Sequence, residues 1–229
     1  MTTIIAFVSQ KGGVGKSTLS RALGREAAKS GLTTKIADLD TQQGTSIDWN
    51  RTRLNAGIQP AVAAEAFATA SQALKVAEQY DLLIIDAPAR ASSGTLEIAK
   101  VADLVVQPTG PSRDDLLPAV REFHALVQAG ISKDKLAFAL NHIGTPTEES
   151  YAREFLVEAG YTVLEGCLQE RPAYRIAQNK GHSITETTFR QLNAKADSLI
   201  QALIDTIGGK NGQSDKTKKT KHARIAANS

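Results

Sequence analysis

Short apolar runs alternate with stretches of helical period along this chain. Ile4–Val8 is apolar, rich in β-branched residues and followed closely by glycines, the pattern of a buried strand. From about Lys16 onward, Leu19, Ala22, Leu23 and Ala27 recur at helical spacing, and Gly31 beyond them is a stop signal. Thr33–Asp38, Leu82–Ile85 running into Asp86, Leu104–Val106 before Pro108, and Leu136–Leu140 before Asn141 predict four further strands, with Ala61-Val62-Ala63 a weaker candidate. Residues 114–129 place Leu117, Val120, Leu126 and Val127 on a helix that needs Pro118 in its first turn. In 189–207, Leu192, Ala196, Leu199, Ile200, Leu203, Ile204 and Ile207 form the apolar stripe of a last helix, expected to dock on the sheet. Its polar face is mostly Gln, Asn and Asp, which argues against a membrane-surface helix. The alternation predicts an α/β fold, a doubly wound, mostly parallel sheet with helices on both faces. From Gly208 the composition turns to Gly, Asn, Lys, Thr and Ser, too polar to offset its ordering entropy. We therefore expect one domain over 1–208 and a disordered basic tail over 209–229.

Charge changes this picture in one respect. The net charge of +3 is concentrated at the end: residues 209–229 carry six basic side chains against one acidic, leaving 21 basic against 23 acidic over the other 208 residues. The body is nearly neutral, so overall basicity is no argument for nucleic-acid binding. One cysteine, Cys167, excludes an intrachain disulfide framework, a four-cysteine zinc site and a thiolate-ligated cluster within one chain. The four histidines show no metal-ligand spacing. No run of about 20 apolar residues is present, and the start lacks a basic region before an apolar one, so we expect a cytoplasmic protein without membrane contact.

The densest chemistry lies between the first strand and the first helix, in Lys11-Gly12-Gly13-Val14-Gly15-Lys16-Ser17-Thr18. A general phosphate loop has Gly, four residues, then Gly-Lys-Ser/Thr. Here Gln10 stands at the first glycine, a lysine is added at the front, and the second half fits. Glycines let the backbone turn N–H groups toward phosphate oxygens, and the following helix N-terminus adds partial positive charge. On this reading Lys16 reaches the β- and γ-phosphates and the Ser17 hydroxyl ligates Mg2+. Asp86, ending an apolar strand, has the Walker B arrangement for holding the Mg2+ shell. Asp38 and Asp40 end the second strand, and would lie at the nucleotide edge if that strand neighbours the first.

These residues resemble the deviant Walker A ATPases of the ParA/MinD superfamily, P-loop NTPases, and within them the short ParA-type partition ATPases without an N-terminal DNA-binding domain. The matching segments, in order, are Gln10–Ser17, Ile36–Gln42, Tyr80–Pro88, Ala102–Pro108 and Asn141 after a strand, with Arg171–Arg175 leading to Gly181–Ile184 as a weaker match. Together they span about residues 3–207. The resemblance implies that Lys11 is the signature lysine reaching a partner protomer's phosphates, that Asp40 orients the hydrolytic water, that Asp38 lies near metal and phosphates, and that Asn141 reads adenine. It further implies MgATP-dependent homodimerisation, non-specific DNA binding by the dimer, nucleoid association, and release when a centromere-binding adaptor protein stimulates hydrolysis. Thr41, Ser9 and Arg90 depart from the family's usual residues.

Because the first strand begins at Thr3 or Ile4, we expect no helix-turn-helix ahead of it. Contact with DNA phosphates then needs only a basic patch. Arg171, Arg175, Lys180 and Arg190 are the candidates, and the basic tail is a second one. A rival reading keeps the ATPase but has it position a protein complex instead of DNA; a ligase or kinase built on the same loop is a more distant one.

Overall fold

The computed structural model describes residues 2–89 and 93–206. In chain order it contains β1 (Thr3–Phe7), α1 (Lys16–Lys29), β2 (Thr34–Asp38), α2 (Thr45–Asn55), β3 (Ala63–Ala66), α3 (Ala70–Leu74), β4 (Leu82–Asp86), α4 (Ser93–Val101), β5 (Leu104–Thr109), α5 (Arg113–Gln128), β6 (Leu136–Ile143), α6 (Pro146–Glu158), β7 (Thr162–Gln169) and α7 (Pro172–Asn179). Residues 190–206 form a further helix, α8. The strands make one sheet in the order β3-β2-β4-β1-β5-β6-β7. Every pairing is parallel. The expected tail, Arg90 and Ile207 lie outside the described residues.

Alternating side chains of the strands feed two cores. Ala6, Leu83, Ile85, Val105 and Phe138 face α3 to α6 on one side. Ile5, Phe7, Ile36, Ile84 and Val106 face α1, α2, α7 and α8 on the other. A sheet covered on both faces needs apolar residues at consecutive positions, which is why β4 reads Leu-Leu-Ile-Ile and is buried throughout.

Three expectations are corrected, and one unpredicted strand is added. The edge strand is Ala63–Ala66, displaced toward the C-terminus from Ala61–Ala63. Pro118 lies beyond the first turn of α5, because Ser112 caps the helix by accepting from Asp115 N and so starts it early. Pro118 and Asp114 are exposed, so the Asp114 carbonyl that loses its helical donor is open to water. β2 does not neighbour β1, since β4 lies between them. Asp38 nevertheless reaches the carboxyl edge, because its register partner on β4 is Asp86. Finally β7 extends the sheet at an edge where half-exposed, mixed residues carry no clear strand pattern.

Candidate nucleotide site

The loop from Ser9 to Gly15 leaves the carboxyl end of β1 and enters α1, whose free N–H groups open toward it. Gly15 caps α1 with φ +108, a left-handed geometry that strains other residues. A Cβ there would also lie 2.0 Å from Asn141 Nδ2. Asn141 holds the loop in place: its amide nitrogen donates to Val14 O at 2.7 Å, and its amide oxygen accepts from His142 N at 2.9 Å. His142, itself at φ +56, places Nε2 3.0 Å from Gly13 O.

Gly12, Gly13, Lys16, Ser17, Asp40 and Arg175 line a cavity of about 370 Å3. Val14 is buried under the loop, and Thr18 lines the cavity one residue into α1. Lys16 is 8% exposed, and burial draws its pKa below the ordinary lysine value against the opposing carboxylates of Asp86, Asp40 and Glu122. Its Nζ lies 3.5 Å from Lys11 O, so a desolvated cation stands beside the glycines of the loop at the cavity wall, an arrangement suited to phosphate oxygens.

The acidic side of the site is held by a residue that sequence reasoning missed. Ser46, fully buried at the start of α2, donates through its backbone N to Asp38 Oδ2 at 3.0 Å and through Oγ to Asp86 Oδ2 at 2.7 Å. Arg21 Nε donates to the same Oγ at 3.4 Å. Asp38 Oδ1 accepts from Asp40 N at 3.0 Å, so both its oxygens hold the Leu39–Thr45 loop. Asp40 is half-exposed, lines the cavity and accepts from Gln43 N. Only the pairing of β2 with β4 brings Ser46 to Asp86, 40 residues away. The Thr-Ser pair directly after Gly44, which stands at the first two positions of α2, was the available signal.

The donor set fits Mg2+. Asp86 Oδ1 is buried and has no hydrogen-bond partner. Ser17 Oγ lies 3.1 Å from Thr45 Oγ1, and the Ser17 and Asp86 side chains interact, so hydroxyl and carboxylate oxygens stand together, as a hard cation requires. Burial pushes the Asp86 carboxyl up to about 6. Its ionised form therefore destabilises the nucleotide-free fold above that pH. Asp86→Asn is expected to raise the stability of the nucleotide-free protein at pH 7.5 by on the order of 2 kcal/mol. The gain should fade as pH falls from 6 toward 4, where the native carboxyl is protonated. Thermal melts over that pH range test this; a melting point lowered at pH 7.5 would refute it.

The structure separates two lysines that share one motif. Lys16 lines the cavity, whereas Lys11 is half-exposed and its Nζ pairs with Asp115 at the start of α5. Burial alone would raise the Asp115 carboxyl, but its bonds to Lys11 and Ser112 outweigh that and hold it below the usual range.

Sequence comparison agrees with this geometry. The nucleotide-binding domain described as CobQ/CobB/MinD/ParA matches residues 5–211. The chain belongs to that family. A ParA protein of Rhizobium radiobacter is 28% identical over 204 residues, covering 84% of this chain and 90% of its own. The fold is similar to that of the septum site-determining protein MinD of Pyrococcus horikoshii OT3 complexed with Mg-ADP, with TM-score 0.70 and 18% identity over 88% of this chain and 94% of that one. It is also similar to a variant McdA of Cyanothece in an ATP complex, with TM-score 0.67 and 16% identity over 88% and 96% of the two chains.

The four basic candidates lie on two adjoining elements of this ParA/MinD-family domain. Arg171 caps α7, Arg175 follows one turn later on the same face, Lys180 ends α7, and Arg190 begins α8. All four are exposed. Arg175 pairs loosely with Glu170 at 3.4 Å; the others make no ion pair among the described residues. Cys167 is half-buried and donates to Glu149 Oε2, away from the nucleotide cavity. Among the described residues no helix is long and apolar enough to cross a membrane.

Proposed function

We propose that this protein is a partition ATPase that binds MgATP, dimerises, holds DNA without sequence preference and lets go on hydrolysis. The single observation that carries the reading is the placement of Arg175 in the wall of the phosphate-loop cavity. A change at the phosphates thereby reaches the basic face of α7 directly. The curated relative named ParA supports the choice of DNA as the cargo surface.

In this reading Gly12–Thr18 bind the phosphates, and Lys16 neutralises the β- and γ-phosphates. Ser17 and Asp86 would hold Mg2+, which would supply charge to offset that developing on the phosphates, with Asp38 keeping the adjoining loop in register. Asp40 orients the attacking water, and Asn141 reads the adenine as well as bracing the loop. Lys11 leaves Asp115 and reaches the partner protomer's phosphates, supplying charge in trans. Arg171, Arg175, Lys180 and Arg190 meet DNA phosphates, a cytoplasmic role on the nucleoid. A centromere-binding adaptor protein stimulates hydrolysis and ends the cycle.

The test is binding to random-sequence duplex DNA with ATP, with ADP and without nucleotide, across a salt series. Binding should require ATP, and log Kobs should fall against log salt with a slope of about 0.9 for each phosphate contact. Replacing Arg171 and Arg175 together by Ala should reduce that slope. An ATP-dependent dimer that ignores DNA would instead favour the protein-positioning reading.

A further inference from the structure

Glu122 and Gln107 form a buried polar pair behind the phosphate loop that none of these roles uses. Gln107 lies in β5 and Glu122 in α5, at 1% and 5% exposure. Both positions belong to layers that are otherwise apolar: Val105 and Val106 precede Gln107, and Phe123 follows Glu122. A Glu–Gln pair is costly here, and branched aliphatic side chains would fill the space more cheaply.

The pair's hydrogen bonds point to the loop. Glu122 Oε2 accepts from Gln107 Nε2 at 2.8 Å and from the backbone N of Gln10 at 3.1 Å. Gln10 stands at the first position of the loop, where the general motif has glycine. Its N–H is therefore the amide that sets the loop's departure from β1. Glu122 Oε1 and Gln107 Oε1 are buried and have no hydrogen-bond partner. Both residues line a cavity of about 10 Å3 together with Ser9 and Val14, room for roughly one water. Glu122 also attracts Lys16 electrostatically without bonding it. The carboxylate thus addresses both halves of the loop from below.

We infer that Glu122 is a positioning residue for nucleotide binding, its Oε2 fixing the entry of the phosphate loop through Gln10 N–H while Gln107 holds the carboxylate in place. It touches neither phosphate nor metal, and acts only through the loop. The inference rests on the MgATP reading above and deepens it: nucleotide affinity is set partly by a carboxylate on α5, the helix that also carries Asp115, the partner of Lys11.

The experiment compares three full-length proteins by thermal melts, by binding of a fluorescent ATP analogue with Mg2+, and by steady-state turnover. In Gln107→Ile/Glu122→Leu the apolar pair replaces the polar one, so the melting point should hold or rise. Leaving Gln10 N–H without its acceptor should raise Kd and KM about tenfold, the cost of one unsatisfied amide. Turnover at saturation should stay within about threefold, since no group meeting the transition state is lost. Glu122→Gln keeps an acceptor oxygen and should bind within about twofold of native. Native affinity in the double variant would overturn the inference, as would a loss in Glu122→Gln equal to that of the double variant. If the double variant does not fold, Glu122→Met, of similar length but without an acceptor, is read in the same way. Failure of the native chain to bind the analogue would overturn the MgATP reading itself, and this inference with it.

Discussion

Lys11→Ala is expected to leave MgATP bound while reducing turnover by roughly 10³, the scale of a charge supplied in trans to a transferring phosphoryl group. The structure explains why binding survives. Lys11 is half-exposed and paired with Asp115, whereas the proposed phosphate cradle is the glycine loop and Lys16 that line the cavity. Lys16→Ala should differ in kind, losing affinity as well as turnover, because its buried ammonium faces the cavity. Equilibrium binding of a labelled nucleotide separates the two, and single-turnover hydrolysis measures the rest. Mixing inactive Lys11→Ala protomers with protomers deficient in nucleotide binding should restore part of the activity if the lysine acts across the dimer. Native turnover in Lys11→Ala would remove the residue from its role.

The second large effect falls on stability. Arg53 is fully buried on α2, and all five of its N–H groups are used. Nε donates to Pro60 O at 3.0 Å; Nη1 donates to Gly181 O at 3.0 Å and Glu186 Oε2 at 2.7 Å; Nη2 donates to Gln59 O at 3.0 Å and Glu186 Oε1 at 3.1 Å. Arg53→Ala would leave the partly buried Glu186 short of its main partner and three carbonyls without donors. Removing one member of such a pair costs about 3–5 kcal/mol, a large part of the roughly 5–15 kcal/mol that keeps a domain folded. Arg53→Lys offers three donors for these acceptors and should recover only part of the loss. Burial alone would raise the Glu186 carboxyl, but the Arg53 bonds dominate and hold it below its ordinary value of 4.5. Its contribution is therefore complete above pH 4.5 and lost as pH falls through the lower folded value. Denaturant melts should show the gap between native and Arg53→Ala narrowing in acid. An unchanged midpoint at pH 7 would refute the assignment.

This network also explains a segment that the sequence presented only as a weak family match. Gly181 adopts φ +79, and a Cβ there would lie 2.6 Å from Arg53 N. Trp49 Nε1 donates to His182 O at 2.9 Å. The Gly181–Ile184 stretch is thus the seat on which α2 rests, and α2 begins at Ser46, which holds Asp38 and Asp86.

The elements legible in the sequence were those whose pattern is local. Continuous apolar runs marked β1, β4 and β6, and the helical stripe of Leu19 to Ala27 marked α1, because burial on both faces of a parallel sheet leaves no room for polar alternation. Helix α6 could have been read from Thr145-Pro146-Thr147-Glu148, since Thr145 and Glu148 form a reciprocal capping box around a proline in the first turn. β7 and β3 were harder, because edge strands are half-exposed and lose the apolar signal.

By itself, then, the sequence determined the α/β class, the phosphate loop between β1 and α1, and the strand-end carboxylates Asp38 and Asp86. These follow from residue type and short-range spacing. Only the tertiary structure decided that β4 separates β1 from β2, that Ser46 joins the two carboxylates, that Lys11 pairs with Asp115, and that Glu122 reaches Gln10. The physical reason is separation along the chain: these contacts join residues 40 to 112 positions apart, and strand order together with the packing of α5 brings them together.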